Sequence, residues 1–487
     1  MRCFLLLLLL LPGGGSLWAQ APVVVQSQRR LGHRINSEQA RAIVYTRHRR
    51  LAVAGTYQYP NAQGQWVNAP SALWLLNKQG DSLTSVLYSY IRPDGFMGNY
   101  GLWAVAEAAN GDLLMLGNKT VSLGPNGTTA NVLLRTDSLG VLRWVRTYPG
   151  SSYAPTAIQP LPDNGALLVT NNQHPLGTGS FPVSVPTLLR VDSLGALVWQ
   201  RSYGQPYNTL QSIVPLADGS YALAGNKSTG PPQWLIGGWV LRVNNSGDTL
   251  RSRVLGGPQT QFYAVAAAPG GGLVLGGTPG ITNRANALVM VTDSLDQVTW
   301  QQNVFSPTAN FSPSLTFVRA LQRPGQVLVG GNRPVPAPYP GTNNYLAVWQ
   351  APTAPGATPS LVWEQQFPEL FLTHPSTVLT PTEPGSMVGV GQYAPRVSDL
   401  RITRFANVPA LYQVPLPTAP GGLLCRRRHG HGRAGAGGQH RWPAPRPAAG
   451  VPLGLGRRQH QQRPRAGGAH LRRAAAAGHG RYAHGYE

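Results

Sequence analysis

Cysteine, methionine and acidic residues are scarce in this sequence: 2 Cys, 5 Met and 17 Asp plus Glu in 487 residues. Cys3 lies in the leader, so Cys425 alone remains and no disulfide framework can hold the fold. The longest apolar run, Phe4 to Leu11, is far short of the roughly 20 residues that span a bilayer, which excludes a membrane-crossing helix. No extended 3.6-residue periodicity is present, which argues against a helical protein. Also missing are a Gly-x-Ser-x-Gly elbow, a His-Glu-x-x-His pair, a P-loop and a dinucleotide fingerprint. Histidine before the tail is limited to His33, His48, His174 and His374, without metal-ligand spacing. Neither a metal nor an organic cofactor is expected.

What is abundant is glycine (58), proline (44) and positive charge (+23 net). Met1-Arg2-Cys3, the apolar run, Pro12-Gly13-Gly14-Gly15 and Ala19-Gln20-Ala21 together read as a signal peptide over residues 1–21. The mature chain is therefore expected outside the cell or at its surface. The charge divides unevenly, since residues 421–487 hold 13 Arg and a single acid, Glu487. Beyond Gly422 there is no Ser, Thr, Asn, Asp, Lys, Ile, Phe or Met. Such a composition is what GC-rich DNA yields in a shifted frame, so residues 423–487 are expected to be a disordered basic tail produced by a frameshift. Its Arg clusters have few interleaved aromatics and match no nucleic-acid module, and no nucleic acid is expected as partner.

Internal repetition organises the rest. Leu188-Leu189-Arg190-Val191-Asp192-Ser193-Leu194-Gly195-Ala196-Leu197-Val198-Trp199 matches Leu133-Leu134-Arg135-Thr136-Asp137-Ser138-Leu139-Gly140-Val141-Leu142-Arg143-Trp144 almost throughout. Weaker copies begin at Trp74, Leu241 and Val291. Each predicts strand, tight turn, strand. A second hairpin follows, as in Ile213 to Gly225 around Asp218-Gly219. Its closing residues are Gly55, Gly117, Thr170, Gly225, Gly276, Gly330 and Gly391, spaced 51 to 62 residues apart. One four-stranded unit per repeat is the size of a propeller blade.

Leu189, Asp192, Gly195, Trp199, Tyr203, Gly204, Asp218, Gly219, Tyr221, Leu223 and Gly225 fall on the repeat of bacterial secreted β-propeller proteins, and residues 41–422 resemble that family. The resemblance implies an exported propeller, often carried by type IX secretion with a C-terminal sorting domain; here that domain is expected to be lost by the frameshift. The fold class is all-β, a propeller of about seven (six to eight) four-stranded blades, with residues 22–40 as a segment ahead of the repeats. The units after Tyr345 are degenerate, which leaves eight blades open. Seven arises if half-units at the two chain ends pair and so remove the exposed sheet edges.

Chemistry-bearing residues are thin. Half of the acids before the tail sit at repeat turns (Asp81, Asp112, Asp137, Asp163, Asp192, Asp218, Asp248, Asp293), where turn geometry explains them. Trp144, Trp199, Trp300 and Trp363 recur in register, as blade-packing residues do. No catalytic residue is assigned. The connections between blades and between the two hairpins of a blade carry Tyr153, Tyr207, Trp234, Phe262, Tyr263 and Phe311, and aromatic loops suit glycan or protein contacts. A monomeric, non-catalytic binding or scaffold module is expected, with a propeller enzyme acting on carbohydrate or a quinoprotein-like oxidoreductase as the alternative.

Overall fold

The repeat turns show how this sequence makes strands. Asp192 Oδ1 accepts hydrogen bonds from the backbone N–H groups of Leu194 and Ala196, each at 2.8 Å. Gly195 then takes φ 77°, open to a residue without Cβ, and the register shifts by a bulge before Leu197 pairs with Val191. Asp137 and Asp293 repeat the arrangement, while Asn77 and Asn244 supply an amide oxygen in the same place. Asp218 accepts from the N–H and hydroxyl of Ser220 in the other hairpin. Replacing Asp192 or Asp218 by Ala should lower unfolding free energy by about 1 kcal/mol each. Urea titration reads this directly; an unchanged midpoint would show that glycine alone sets the turn.

A computed structural model of the chain describes residues 24–415 apart from 32–36, 61–65, 96, 122–128, 151–154, 175–182, 229–236, 281–285, 306–313, 336–340, 355–356, 368–377 and 394–398. Residues 1–21, expected to be a signal peptide, and residues 423–487, expected to be a disordered basic tail, lie outside the described residues. The chain divides at Pro420/Gly421, next to the break in composition.

After β1 (Val24–Leu31), blade 1 comprises β2 (Ser37–Tyr45), β3 (Leu51–Pro60), β4 (Trp66–Leu76) and β5 (Ser82–Ile91), with β6 (Met97–Asn99) added at its edge. Blade 2 is β7 (Gly101–Glu107), β8 (Leu113–Thr120), β9 (Thr129–Thr136) and β10 (Leu142–Tyr148). Blade 3 is β11 (Ala157–Pro160), β12 (Ala166–His174), β13 (Val183–Val191) and β14 (Leu197–Ser202). Blade 4 is β15 (Thr209–Pro215), β16 (Tyr221–Lys227), β17 (Gly237–Val243) and β18 (Thr249–Leu255). Blade 5 is β19 (Gln261–Ala267), β20 (Leu273–Thr278), β21 (Asn286–Thr292) and β22 (Val298–Phe305). Blade 6 is β23 (Ser314–Ala320), β24 (Gln326–Val335), β25 (Gly341–Gln350) and β26 (Ser360–Phe367). Blade 7 holds β27 (Val378–Pro381), β28 (Ser386–Tyr393) and β29 (Asp399–Ala406), and takes β1 as its fourth strand.

The first strands of the blades touch in one circuit, β2, β7, β11, β15, β19, β23, β27 and back to β2. The fold is a closed seven-bladed β-propeller. The described residues contain one short 3₁₀ turn, Pro269–Gly271, and no other helix.

Two details differ from the sequence expectation. Ring closure joins three strands from one chain end to one from the other, so Val24–Leu31, placed ahead of the repeats, belongs to the last blade. The hairpin containing Asp218 is also the inner half of its blade, and the hairpin containing the repeated Trp is the outer half. A repeat that opens on the Trp hairpin therefore straddles two blades.

Between blades, the repeat motif is a latch. Trp144, Arg146 and Tyr148 on β10 face the Gly195 turn of the next blade, and the Tyr148 hydroxyl donates to the Gly195 carbonyl at 2.9 Å. Tyr203 donates to Gly247 at 2.6 Å and Tyr88 to Gly140 at 2.6 Å in the same way. Burial pushes the Tyr203 hydroxyl pKa up to about 12, so each latch stays protonated at neutral pH. A second device is an arginine at the end of the third strand. Arg135 Nη1 reaches the Asn164 and Ser193 carbonyls of blade 3 at 2.9 and 2.7 Å, while its Nε pairs with buried Asp112 at 2.8 Å. Arg242 reaches the Gly271 carbonyl and Asp296 of blade 5.

Candidate functional site

The turns within each hairpin lie at one end of the ring, called the lower end here, and the connections between hairpins and between blades lie at the upper end. Near the upper end, five of the seven inner strands carry a bulge at the same place. The register slips between Ala40 and Ala42, Leu102 and Ala104, Leu210 and Ser212, Phe262 and Ala264, and Leu315 and Phe317. The residues left without a cross-strand partner are Arg41, Trp103, Gln211, Tyr263 and Thr316.

The second strand explains why the bulge forms. Gly225 stands opposite Leu210, and a Cβ there would collide with the Thr209 carbonyl oxygen, so the two strands approach more closely than side chains permit. Gly55, Gly117 and Gly277 serve the other blades alike. In the Gly276-Gly277 pair it is the second glycine, one beyond the residue marked in the repeat, that faces the bulge.

Bulges re-aim a side chain. Here the flanking residues other than Ser212 are buried, Leu102 and Phe262 at 0% exposure, whereas Arg41, Trp103, Gln211, Tyr263 and Thr316 are all half-buried. Both faces of a blade are covered by its neighbours, so a half-exposed residue on an inner strand reaches solvent through the central channel. The bulges thus line the upper part of that channel with five unlike side chains.

Contacts within the ring are specific. The Arg41 guanidinium lies over the Trp103 ring, 4.6 Å from its centroid, and Arg41 Nη2 donates to Gln39 Oε1 at 3.1 Å. Burial strips water from the guanidinium and pulls the Arg41 pKa below its ordinary value. Tyr263 donates to Gln261 Oε1 at 2.8 Å, and burial pushes its pKa up. Arg319, lower on β23, stacks on Phe317 at 4.9 Å.

Of the aromatics picked out in the sequence, Tyr263 is in this ring. Tyr207 is half-buried in the upper connection from blade 3 to blade 4, at φ 72°, with its N–H donating to the Ser184 carbonyl at 2.8 Å. Phe262 is a correction: its ring is fully buried and packs over Gly238, because the bulge turns its neighbour Tyr263 outward instead. Tyr153, Trp234 and Phe311 lie outside the described residues. Arg41 and Trp103 were missed, although each precedes an alanine at the position where Tyr263 precedes Ala264.

The repeat-turn acids hold turns or arginines. Among the remaining acids, Asp296 pairs with Arg242, Glu107 with Arg47, Asp94 with Arg92, and Glu383 with Lys78 and Arg49. Among the described residues no cluster of three His, Cys, Asp or Glu side chains could hold a metal, and no helix is long and apolar enough to cross a membrane.

No protein-family model and no curated protein matches the chain. Similar solved structures include a protein of unknown function from Dyadobacter fermentans (11% identity, TM-score 0.42, 79% of this chain and 99% of that one). The β-propeller domain of the Trilobed protease from Pyrococcus furiosus, described as having an open velcro topology, aligns at 9% identity and TM-score 0.43 over 80% of this chain and all of that one. An acylaminoacyl peptidase from Pyrococcus horikoshii aligns at 11% identity and TM-score 0.41, over 75% of this chain and 50% of the peptidase. Such identities bear on fold alone, and the propeller here stands on its own strand pairing.

Proposed function

We propose that this chain is an exported, non-catalytic propeller that binds a glycan or protein at the cell surface or outside the cell, through the upper end of its central channel. One observation carries this. Nine of the ten residues flanking the bulges are Leu, Phe or Ala, with Ser212 the exception, yet the bulged position itself changes from Arg to Trp, Gln, Tyr and Thr. A residue needed for packing would repeat with its surroundings; one that reads a ligand need not.

The leader and the likeness to secreted bacterial repeat proteins support export, with type IX secretion as the route. Binding is favoured over hydrolysis by the use of the described acids in turns and ion pairs, since glycoside hydrolysis needs two carboxylates facing one bond. A glycan array probed with the mature chain, with Trp103→Ala beside it, tests the reading. Loss of the Arg41 platform should weaken the array signals at least about tenfold, as truncation of an aromatic anchor does. Full binding by Trp103→Ala, or turnover of a bound glycan, would overturn it.

A further inference from the structure

A second site lies at the lower end of the ring, between blades 5 and 6, a junction that has neither the tyrosine latch of blades 1, 2 and 3 nor the arginine clamp of blades 2 and 4. On β22, Trp300 keeps the position of Trp144 and Trp199, but Gln302 stands where Arg146 and Arg201 are, and Val304 stands where Tyr148 and Tyr203 are. Val291 likewise stands at the position of the clamp arginines Arg135 and Arg242. The facing turn of blade 6 has also changed. Residues 351–359 span nine positions where the corresponding turns of blades 1 to 5 span five.

These changes open a cleft of about 1100 Å³. Residues following β29 form one wall. They cross the lower end beside blade 6, where Gln322 N–H donates to the Ala410 carbonyl at 2.8 Å and Tyr412 N–H to the Ala320 carbonyl at 2.9 Å. Tyr412 thereby lines the cleft together with Trp300 and packs against the apolar cluster that holds it.

The chemistry of the lining is selective. Glutamine, threonine and proline side chains surround the two aromatics, and Asp293 is the one charged side chain among the described lining residues. Asp293 Oδ1 is already engaged by the N–H groups of Leu295 and Gln297 at 2.8 Å. An anionic ligand would give up its hydration here without an opposite charge. Gln326, 8% exposed, lines the same cleft, and its Oε1 accepts no hydrogen bond from the described residues. A buried acceptor in that state calls for a donor from a ligand.

We infer that this cleft binds a neutral oligosaccharide, whose hydroxyl groups meet Gln326 and the neighbouring amides while its C–H faces lie along Trp300 and Tyr412. The volume exceeds the about 300–1,000 Å³ of pockets for drug-sized ligands, so an oligomer suits it better than a single sugar. The inference is independent of the channel site, which lies at the other end of the ring.

Calorimetry on the intact mature chain, with neutral hexasaccharides of glucose, mannose, galactose and N-acetylglucosamine and with hexagalacturonate as the charged comparison, tests it. At least one neutral hexasaccharide should bind, and hexagalacturonate more weakly. Gln326→Met should weaken that binding tenfold or more while leaving Tm unchanged or raised, because it removes an acceptor that no protein donor meets. Gln302→Arg, which restores the repeat side chain at the rim, should also weaken it, and serves if Gln326→Met does not fold. Trp103→Ala should leave it intact. Absence of binding by every neutral hexasaccharide at about 10 mM, or binding indifferent to both cleft substitutions, would overturn the inference. Binding lost only in Trp103→Ala would place the sugar in the channel and overturn it as well.

Discussion

Deletion of Val24–Leu31 is expected to unfold the propeller cooperatively, not merely to trim it. β1 pairs with β29 from Val24 opposite Ala406 to Leu31 opposite Leu400, and nothing else covers that edge among the described strands. Each backbone hydrogen bond contributes about 0.5–1.5 kcal/mol net, so losing the ladder removes several kcal/mol from a total that is typically about 5–15 kcal/mol. The loss is concentrated at the ring's only seam. Blade 7 is the one sheet assembled from both ends of the domain, so without β1 its outer strand offers an open edge to other chains. The deleted chain should show a urea midpoint far below the intact protein and a tendency to associate. A synthetic peptide of residues 22–32 added in trans should restore both, as strand addition to an open edge does. A midpoint within error of the intact protein would mean that the seam is held by side-chain packing between blades 7 and 1.

Legibility in the sequence followed how local each interaction is. The Asp192 and Asp218 turns were readable because donor and acceptor lie within four residues of each other. The four-stranded repeat was readable because Trp144 and Trp199 recur with Leu-Leu-Arg in front of them, while the blade number was bounded only to six to eight because the units after Tyr345 are degenerate. What escaped depends on distant partners. Val24–Leu31 has no adjacent turn and finds its strand 369 positions or more away, so no hairpin signal marks it. Blade phase escaped because the two hairpins alternate evenly along the chain, and sequence alone does not say which pair shares hydrogen bonds.

The candidate sites were hidden for a different reason. Phe262 and Tyr263 are adjacent aromatics with equal claims on a ligand face, and only the slip of register opposite Gly277 buries one and frees the other. The same slip selects Arg41 and Trp103, which sit in short alanine-rich strands and look like packing residues. The lower cleft is written in departures from the repeat, Val291 and Val304 in place of Arg and Tyr. Those departures acquire meaning only once the latch they lack is known.

Substitution of Arg242 by Leu should be among the most damaging single changes in the ring, and a second change should repair it. Arg242 Nε and Nη2 donate to Asp296 Oδ1 at 2.8 and 2.5 Å, with the side chains only 8% and 1% exposed. Asp296 occupies the turn position held by Gly140, Gly195 and Gly247 in other blades and keeps the same left-handed backbone, at φ 59°. A side chain in that region carries strain that glycine does not. Blade 5 therefore holds a strained aspartate in place through the arginine of blade 4. Removing only the arginine leaves a buried carboxylate without its main partner, at a cost of about 3–5 kcal/mol. Arg251, whose Nη1 is 3.4 Å from Asp296 Oδ2, offsets part of that. Asp296→Gly in the Arg242→Leu background removes the stranded charge and the backbone strain together, and converts the turn to the form used in the other blades. The double variant should recover most of the lost stability, giving a coupling energy of about 2–3 kcal/mol in a double-mutant cycle by urea unfolding. Additive losses would show that Arg242 acts through its bond to the Gly271 carbonyl, 3.0 Å from Nη2, and not through Asp296.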